Sequence, residues 1–304
     1  MALAAPQRSV PFDTLAVECM ASRMRTLATR RGFLSAAGIA GLGTAAPPLP
    51  ARIETTPWGI KLGIASYSLR KFDRVQAIAM IKELGTPWIS IKDFHLSFDG
   101  TPQQRAEWRR EFEAAGLHIM SGGNITIDKD DDASIRRAFE YAKDAGMPMM
   151  VCAPTHSNLR SIERFVKEYD IRIAIHNHGP EDKNFPTPQS VLEALRGFDP
   201  RCGLCLDAGH TARTGADVVQ SIAQAGPRLL DMHVKDLRNM SEKESQCDVG
   251  DGDMPFPAIF KQLKKMNYTG CVNLEYEINA DNPMPGMQRS MSYMRGVLAG
   301  LAAA

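Results

Sequence analysis

The sequence predicts an α/β protein built as a single-domain (β/α)8 TIM barrel, and three observations support this fold class. Eight short apolar runs alternate with amphipathic, helix-like segments between residues 60 and 301. The eight units take about 245 residues, which is the typical length of such a barrel. Polar residues gather at the C-terminal ends of nearly all the predicted strands, which is where this fold places its active site.

The first half of the chain supplies four predicted strands and the helices that cover them. The strands are expected at residues 60–68, 88–94, 117–124 and 147–154. Between them, residues 73–85 and 103–116 carry apolar side chains at three- and four-residue spacings, and both segments end in glycine. Such spacing and such an ending are typical of amphipathic helices.

The second half repeats this alternation. Its strands are expected at residues 171–179, 202–210, 229–236 and 270–277, and the closing helix at 285–301. An open, doubly wound sheet is the rival architecture, because it has the same order of strands and helices. However, no G-x-G-x-x-G turn follows the first strand, and the polar strand ends are spread over the whole sheet. Both observations favour the closed barrel.

Residues 1–51 are predicted to be an export signal or disordered leader, and residues 52–304 the catalytic domain. Paired arginines at positions 30 and 31 precede a weakly apolar run of alanine and glycine, followed by small residues and prolines. This order resembles a twin-arginine signal peptide, which implies a periplasmic or otherwise exported protein. The apolar run is too short and too rich in glycine for a stable membrane span.

Composition and charge argue against one large class of function. The chain has 304 residues, of which 44% are hydrophobic and 23% charged, as in ordinary globular proteins. Its formal net charge is +1, whereas a nucleic-acid-binding protein usually has a strong basic excess. A small-molecule partner is therefore expected and a nucleic acid is not. The sequence leaves a homodimer open as the assembly.

Titratable side chains stand at the ends of the last four predicted strands. They are His176 and His178 on the fifth strand, Asp207 and His210 on the sixth, His233 and Lys235 on the seventh, and Glu275 and Glu277 on the eighth. These strand ends converge in a barrel. Two imidazoles and two carboxylates that face one another form a divalent-metal site, and such mixed ligands suit manganese, zinc, cobalt or iron. The predicted ligands are His176, Asp207, His233 and Glu275.

The motifs on these strands resemble the xylose isomerase-like TIM-barrel superfamily. The similar motifs are H-N-H-G at 176–179, L-D-A-G-H at 206–210, H-V-K-D at 233–236, G-D-G-D-M-P-F at 250–256 and Y-T-G-C-V-N-L-E at 268–275. The superfamily contains sugar phosphate isomerases and epimerases, inosose and dehydroshikimate dehydratases, and an apurinic endonuclease. The resemblance implies a divalent metal that binds sugar oxygens, polarises a carbonyl and stabilises the enediolate left by proton abstraction. It also implies a substrate contact for His210.

The fifth strand departs from the pattern of the ketose epimerases in this superfamily. Those enzymes place a glutamate there, which works with the strand-eight glutamate as an acid/base pair, whereas this chain has His176. Since a metal-bound imidazole cannot also carry a proton as a carboxylate can, a two-glutamate epimerisation is disfavoured. The candidate catalytic residues are Lys92, His210, Lys235 and Glu275, and the candidate substrate contacts are His95, His156 and His178. A single base favours elimination or hydration.

The sequence thus predicts a metal-dependent enzyme that abstracts a proton next to the carbonyl of a sugar or keto-sugar. Isomerase or epimerase chemistry stays open beside lyase or hydratase chemistry, and the lyase version on a 3-keto-glycoside is slightly preferred. One alternative is a metal-free or inactive sugar-binding barrel. A remote alternative is a nuclease similar to apurinic endonucleases, which need more metal ligands and a basic surface, whereas the chain after residue 51 is slightly acidic.

Overall fold

The structure of the protein is a computed structural model that describes residues 56–304. The predicted leader and its export signal lie outside the described residues. Eight parallel strands form a closed barrel. They are β1 (Lys61–Ala65), β2 (Trp88–Ile91), β3 (His118–Ile127), β4 (Met149–Pro154), β5 (Arg172–His176), β6 (Cys202–Asp207), β7 (Leu229–Val234) and β10 (Cys271–Leu274). The barrel closes where β1 pairs with β10, which confirms the predicted fold class.

Helices follow the strands and cover the outer face of the barrel. They are α1 (Arg74–Glu83), α2 (Pro102–Ala114), α3 (Asp132–Asp144), α4 (Leu159–Tyr169), α5 (Pro188–Ala194), α6 (Ala208–Arg213), α7 (Val218–Ala225), α8 (Phe256–Lys265) and α9 (Met284–Ala303). Between β7 and α8, the short strands β8 (Asp236–Leu237) and β9 (Gln246–Cys247) form an antiparallel ribbon. No helix among residues 56–304 is long and apolar enough to cross a membrane.

The predicted strands run past the observed strand ends, because backbone N–H groups leave the sheet ladder there for other acceptors. After β10, Tyr276 N donates to Ser68 Oγ at 2.8 Å and Glu277 N donates to Gln246 Oε1 at 3.1 Å. After β6, the Asp207 carboxylate accepts a hydrogen bond from His210 N at 2.7 Å and begins α6. Beyond these points the polar side chains no longer alternate between the two faces of a strand.

Strand register sets the level of the polar residues inside the barrel. His176 on β5 pairs with Cys205 on β6, and Asp207 pairs with His233 on β7. Because inward-facing residues recur every second position, Asp231 lies in the layer below His233. The C-terminal ends of β5, β6, β7 and β10 therefore bring their side chains to one mouth of the barrel.

Candidate metal centre

The four predicted ligands meet at the C-terminal mouth of the barrel. Each of His176, Asp207, His233 and Glu275 offers one ligand atom, and these atoms all lie within 4.8 Å of one another. His176 Nε2 is 3.6 Å from Asp207 Oδ2, and His233 Nδ1 is 3.4 Å from Glu275 Oε1. All four side chains are buried. The structure therefore groups the residues that the sequence singled out.

The hydrogen bonding of this cluster fits a metal ion. Both ring nitrogens of His176 and of His233, together with Asp207 Oδ2, are buried and have no hydrogen-bond partner among the described residues. A buried polar atom without a partner costs about 1–3 kcal/mol, so several of them in one place are not explained by folding alone. Imidazole nitrogen and carboxylate oxygen are ligands of first-row divalent metals, and the donor set suits such an ion.

Lys235 connects the carboxylates of the site. Its Nζ lies 2.8 Å from Glu275 Oε2, 2.9 Å from Glu277 Oε2 and 3.2 Å from Asp207 Oδ2. Burial opposes the charged form, but the three carboxylates outweigh burial and raise the pKa of Lys235 well above its ordinary value. The side chain is therefore an ammonium group in the resting protein. It binds one oxygen of Glu275 while the other oxygen faces His233.

The two glutamates beside Lys235 have opposite electrostatic surroundings. Burial alone would raise the pKa of Glu275, but Lys235 and His233 outweigh it and hold that pKa well below its usual value. Burial, helped by the negative charge of Glu275, raises the pKa of Glu277 against the opposing effect of Lys235. The side chain of Glu277 is also more exposed, at 38% against 12% for Glu275. Glu275 is thus suited to bind metal, and Glu277 to exchange protons.

A cavity of about 260 Å³ adjoins the cluster, with His176 and Glu275 on its wall. Lys92, His178 and His210 also line it. The surrounding groups are ammonium, imidazole and carboxylate, which hydrogen-bond to hydroxyl and carbonyl oxygens. The space can therefore hold a small, oxygen-rich ligand beside the candidate metal ligands.

Comparison with known proteins places the chain in a family. The sequence model of the xylose isomerase-like TIM barrel family matches residues 78–297. The chain belongs to this family. The expectation drawn from the strand-end motifs is thereby confirmed.

The relatives and the structural neighbour described below share between 17% and 26% sequence identity with the chain. It is 24% identical over 199 residues to the inosose dehydratase of Lactiplantibacillus plantarum, covering 60% of this chain and 64% of that one. It is 26% identical over 161 residues to the inosose dehydratase of Mesomycoplasma hyopneumoniae, covering 46% and 53%. The chain thus spans less than two thirds of the length of either relative. The crystal structure of the IolI protein with a bound zinc atom superposes with a TM-score of 0.64 at 17% identity, covering 79% and 99%, and shares the fold.

Three predicted site residues outside the ligand set come together in this family member. Lys92, His178 and His210 line the same cavity. The Lys92 ammonium donates one hydrogen bond to Asn124 O at 2.9 Å and has further N–H groups to offer. The ring centroids of His178 and His210 are 4.5 Å apart. Burial lowers the pKa of His210 to about 3, so its ring is neutral.

Two predicted substrate contacts do not join this cavity. His95 is fully buried, with Nδ1 3.0 Å from Ser66 Oγ and Nε2 3.1 Å from Phe72 O. His156 is exposed, and its Nε2 lies 3.0 Å from Asn184 O. The ring of His95 thus contacts Ser66 and Phe72, that of His156 contacts the loop after β5, and neither lines the cavity beside the candidate ligands. Each ring thus has a partner within the fold, and the substrate contacts of His95 and His156 stay predictions.

Sequence reasoning missed several residues of the site. Asn177 accepts a hydrogen bond from Asp207 N at 3.0 Å and donates to Thr211 Oγ1 at 3.1 Å, which fixes the approach of β5 to β6. Cys205 offers a sulfur within 4.8 Å of nitrogens of the two ligand histidines. Its position two residues before Asp207 was the available signal, because alternate residues of a strand share a face. Arg213, three residues after His210, contacts that ring.

Proposed function

We propose that this protein is a metal-dependent sugar-modifying enzyme that removes a proton next to the carbonyl of a sugar or keto-sugar. The observation that carries the proposal is the cluster of His176, Asp207, His233 and Glu275 beside a polar cavity, in which the ring nitrogens of both histidines and Asp207 Oδ2 have no hydrogen-bond partner among the described residues. A bound divalent ion supplies Lewis-acid polarisation of a substrate oxygen. Manganese, zinc, cobalt and iron all suit these ligands.

Within this class we propose lyase or dehydratase chemistry in preference to epimerisation. An epimerase must handle protons on both faces of one carbon, and a carboxylate on each face serves that purpose. On β5 this chain offers His176, which belongs to the ligand cluster. The relatives called inosose dehydratase also support a lyase. We infer elimination of water or an alcohol from a keto-sugar, with a 3-keto-glycoside as the preferred substrate.

We infer that Glu277 moves the proton of such an elimination. Glu277 lines the cavity, and its carboxylate takes the proton from the carbon next to the carbonyl. The electrons of that C–H bond form a C=C bond as the neighbouring C–O bond breaks. Protonated Glu277 gives this proton to the departing oxygen and becomes a carboxylate again, which the hydrogen bond from Lys235 at 2.9 Å holds in place. Atoms and charges are then as they were before the reaction.

Incubation with a 3-keto-glucoside in deuterated water tests this proposal, using protein loaded with manganese or zinc. We expect release of the aglycone and an unsaturated keto-sugar product, followed by mass spectrometry. Deuterium incorporation with the aglycone retained would indicate an isomerase or epimerase and overturn the lyase assignment. Inertness towards a panel of keto-sugars, together with less than stoichiometric metal in the purified protein, would favour the sugar-binding alternative.

We also propose that the leader directs export of this enzyme. The support is the paired arginines at 30 and 31 and the run that follows them. Replacement of both arginines by lysine in the full chain is expected to leave the protein in the cytoplasmic fraction, while the unchanged chain reaches the periplasm. Equal fractionation of the two chains would contradict a twin-arginine route.

A further inference from the structure

His210 has a buried cationic neighbour, Arg213, which is not one of the candidate metal ligands. Arg213 Nη1 lies 3.2 Å from His210 Nδ1, and the Arg213 side chain is only 6% exposed. The other terminal nitrogen of Arg213 donates to Glu181 Oε1, which holds the guanidinium in place from the loop after β5. The ring, the guanidinium and the carboxylate therefore form a chain of contacts, of which only the His210 ring lines the cavity.

The donor and the acceptor of the hydrogen bond between Arg213 and His210 follow from the chemistry of the two groups. A guanidinium has five N–H donors, no acceptor, and a pKa too high for it to lose a proton in a protein. His210 Nδ1 must therefore accept. A neutral imidazole that accepts at Nδ1 carries its proton at Nε2.

Gly179 gives this contact the space that it needs. A Cβ atom at position 179 would lie 3.0 Å from His210 Nδ1 and 3.2 Å from Arg213 Nη1, closer than ordinary packing allows. The residue also has a φ of +84°, which favours glycine. Gly179, the last residue of the H-N-H-G motif, thus lies against the Arg213–His210 pair. Its close packing and its positive φ both favour a residue without a side chain.

The other neighbours of the His210 ring do not compete for Nδ1. Asp207 binds the backbone N–H of His210 at 2.7 Å, and the rings of His178 and His176 lie 4.5 and 5.8 Å away between centroids. The ring also borders the cavity. Of its two nitrogens, Nε2 is the one that remains for a ligand there.

We propose that Arg213 is a positioning residue that fixes His210 as the Nε2–H tautomer, so that His210 presents a hydrogen-bond donor to a substrate oxygen. The tautomer depends on contacts within the chain. The hydrogen bond from His210 to a substrate oxygen rests on the proposed function. A neutral N–H donor polarises an oxygen without taking a proton. His210 is thereby removed from the candidate bases, and proton abstraction is left to Glu277.

The tautomer can be read directly in the resting protein. Nitrogen-15 labelling of histidine in the zinc-loaded and metal-free forms, with two-bond proton–nitrogen correlation spectra, shows which ring nitrogen carries the proton. The His210 signals are assigned by their loss in His210→Asn. We expect a protonated Nε2 and an unprotonated Nδ1 in the unchanged protein. A protonated Nδ1 would overturn the proposal, and this result needs no substrate.

Substitutions then test the part played by Arg213. Arg213→Ala is expected to give a mixture of tautomers, whereas Arg213→Lys keeps a group that only donates and retains the Nε2–H form. Glu181→Gln weakens the support of Arg213 and is expected to have a smaller effect, which covers the case that Arg213→Ala fails to fold. Arg238→Ala, at an exposed arginine, is the matched control. An unchanged tautomer in both Arg213→Ala and Glu181→Gln would overturn the proposal.

Kinetics with the keto-sugar substrate tests the donor to the substrate. Loss of one fixed hydrogen bond of about 1.4 kcal/mol lowers kcat/KM about tenfold. We expect this decrease for Arg213→Ala and recovery of most of it in Arg213→Lys. A changed tautomer with unchanged kcat/KM would overturn the contact between His210 and the substrate. If the protein turns over no keto-sugar, the proposed function fails while the spectra still decide the tautomer.

Discussion

Two aspartates on neighbouring strands are equally buried and yet have different surroundings. Asp231 and Asp207 are both 0% exposed. Asp231 accepts from Ser121 Oγ at 2.6 Å, from Asn273 Nδ2 at 2.9 Å and from Met232 N at 3.0 Å, so both of its oxygens are bonded. Asp207 uses Oδ1 to accept from His210 N, while its Oδ2 accepts no hydrogen bond from the described residues.

Charge separates the two carboxylates as well. Burial raises the pKa of Asp231 to about 6, against the lowering effects of the His233 charge and of the hydrogen bonds that Asp231 accepts. Burial acts on Asp207 in the same direction, but the Lys235 ammonium outweighs it and holds the pKa of Asp207 below its usual range. Both oxygens of Asp231, in the lower layer of the barrel, are thus occupied by hydrogen bonds. In the upper layer, Asp207 Oδ2 accepts no hydrogen bond from the described residues, although the Lys235 ammonium lies 3.2 Å away. This difference separates the candidate ligand Asp207 from Asp231.

Replacement of Asp207 by asparagine should give the largest effect, because it removes a candidate metal ligand and its charge. Removal of a residue that only hydrogen-bonds to a metal ligand lowers metal affinity about 10–100-fold. We expect the decrease in metal affinity of Asp207→Asn to exceed that range. Activity should fall with it. Isothermal titration with zinc measures the affinity, and Asp231→Asn is the control that should bind almost normally. Stoichiometric, tight zinc binding by Asp207→Asn would remove the distinction between the two layers.

Glu277→Gln should separate proton transfer from metal binding. The amide keeps the shape of the side chain but cannot take a proton, so we expect kcat to fall by roughly 100-fold. Metal affinity should change little, because the four-residue ligand set does not include Glu277. Glu242→Gln, at an exposed position, is the control. Normal kcat in Glu277→Gln would assign the abstraction to another group.

The fold and the grouping of the four candidate ligands could be predicted because they depend on periodicity. Alternation of apolar runs gives the strands, and the barrel brings their C-terminal ends together, so His176 and Glu275 could be placed at one site although 99 positions separate them. His95 and His156 could not be placed, because loop paths after a strand depend on contacts such as that of His95 with Ser66. The contact of Arg213 with His210 could not be predicted, because it depends on the short helix α6, which begins at the Asp207 N-cap.

Asp231→Ala tests the lower layer through stability. The substitution leaves the donors of Ser121 and Asn273 without their acceptor, so the free energy of unfolding should fall by about 1–3 kcal/mol. Urea denaturation of the metal-free protein measures it, and Ser121→Ala, which removes one of the hydrogen bonds, should lose less. Metal affinity should stay near that of the unchanged chain. If Asp231→Ala released zinc as readily as Asp207→Asn, the two layers would act as one site.

The smallest effect is expected at His156, and its comparison with His178 tests whether membership of the cavity decides function. His156 is exposed and contacts a loop carbonyl, so His156→Ala should change stability by less than about 0.5 kcal/mol. Its KM for a keto-sugar should stay within about twofold. His178 lines the cavity, and His178→Ala removes a polar contact of about 1 kcal/mol, or roughly fivefold in KM. An equal rise of KM in both variants would mean that the loop carrying His156 folds over the bound substrate.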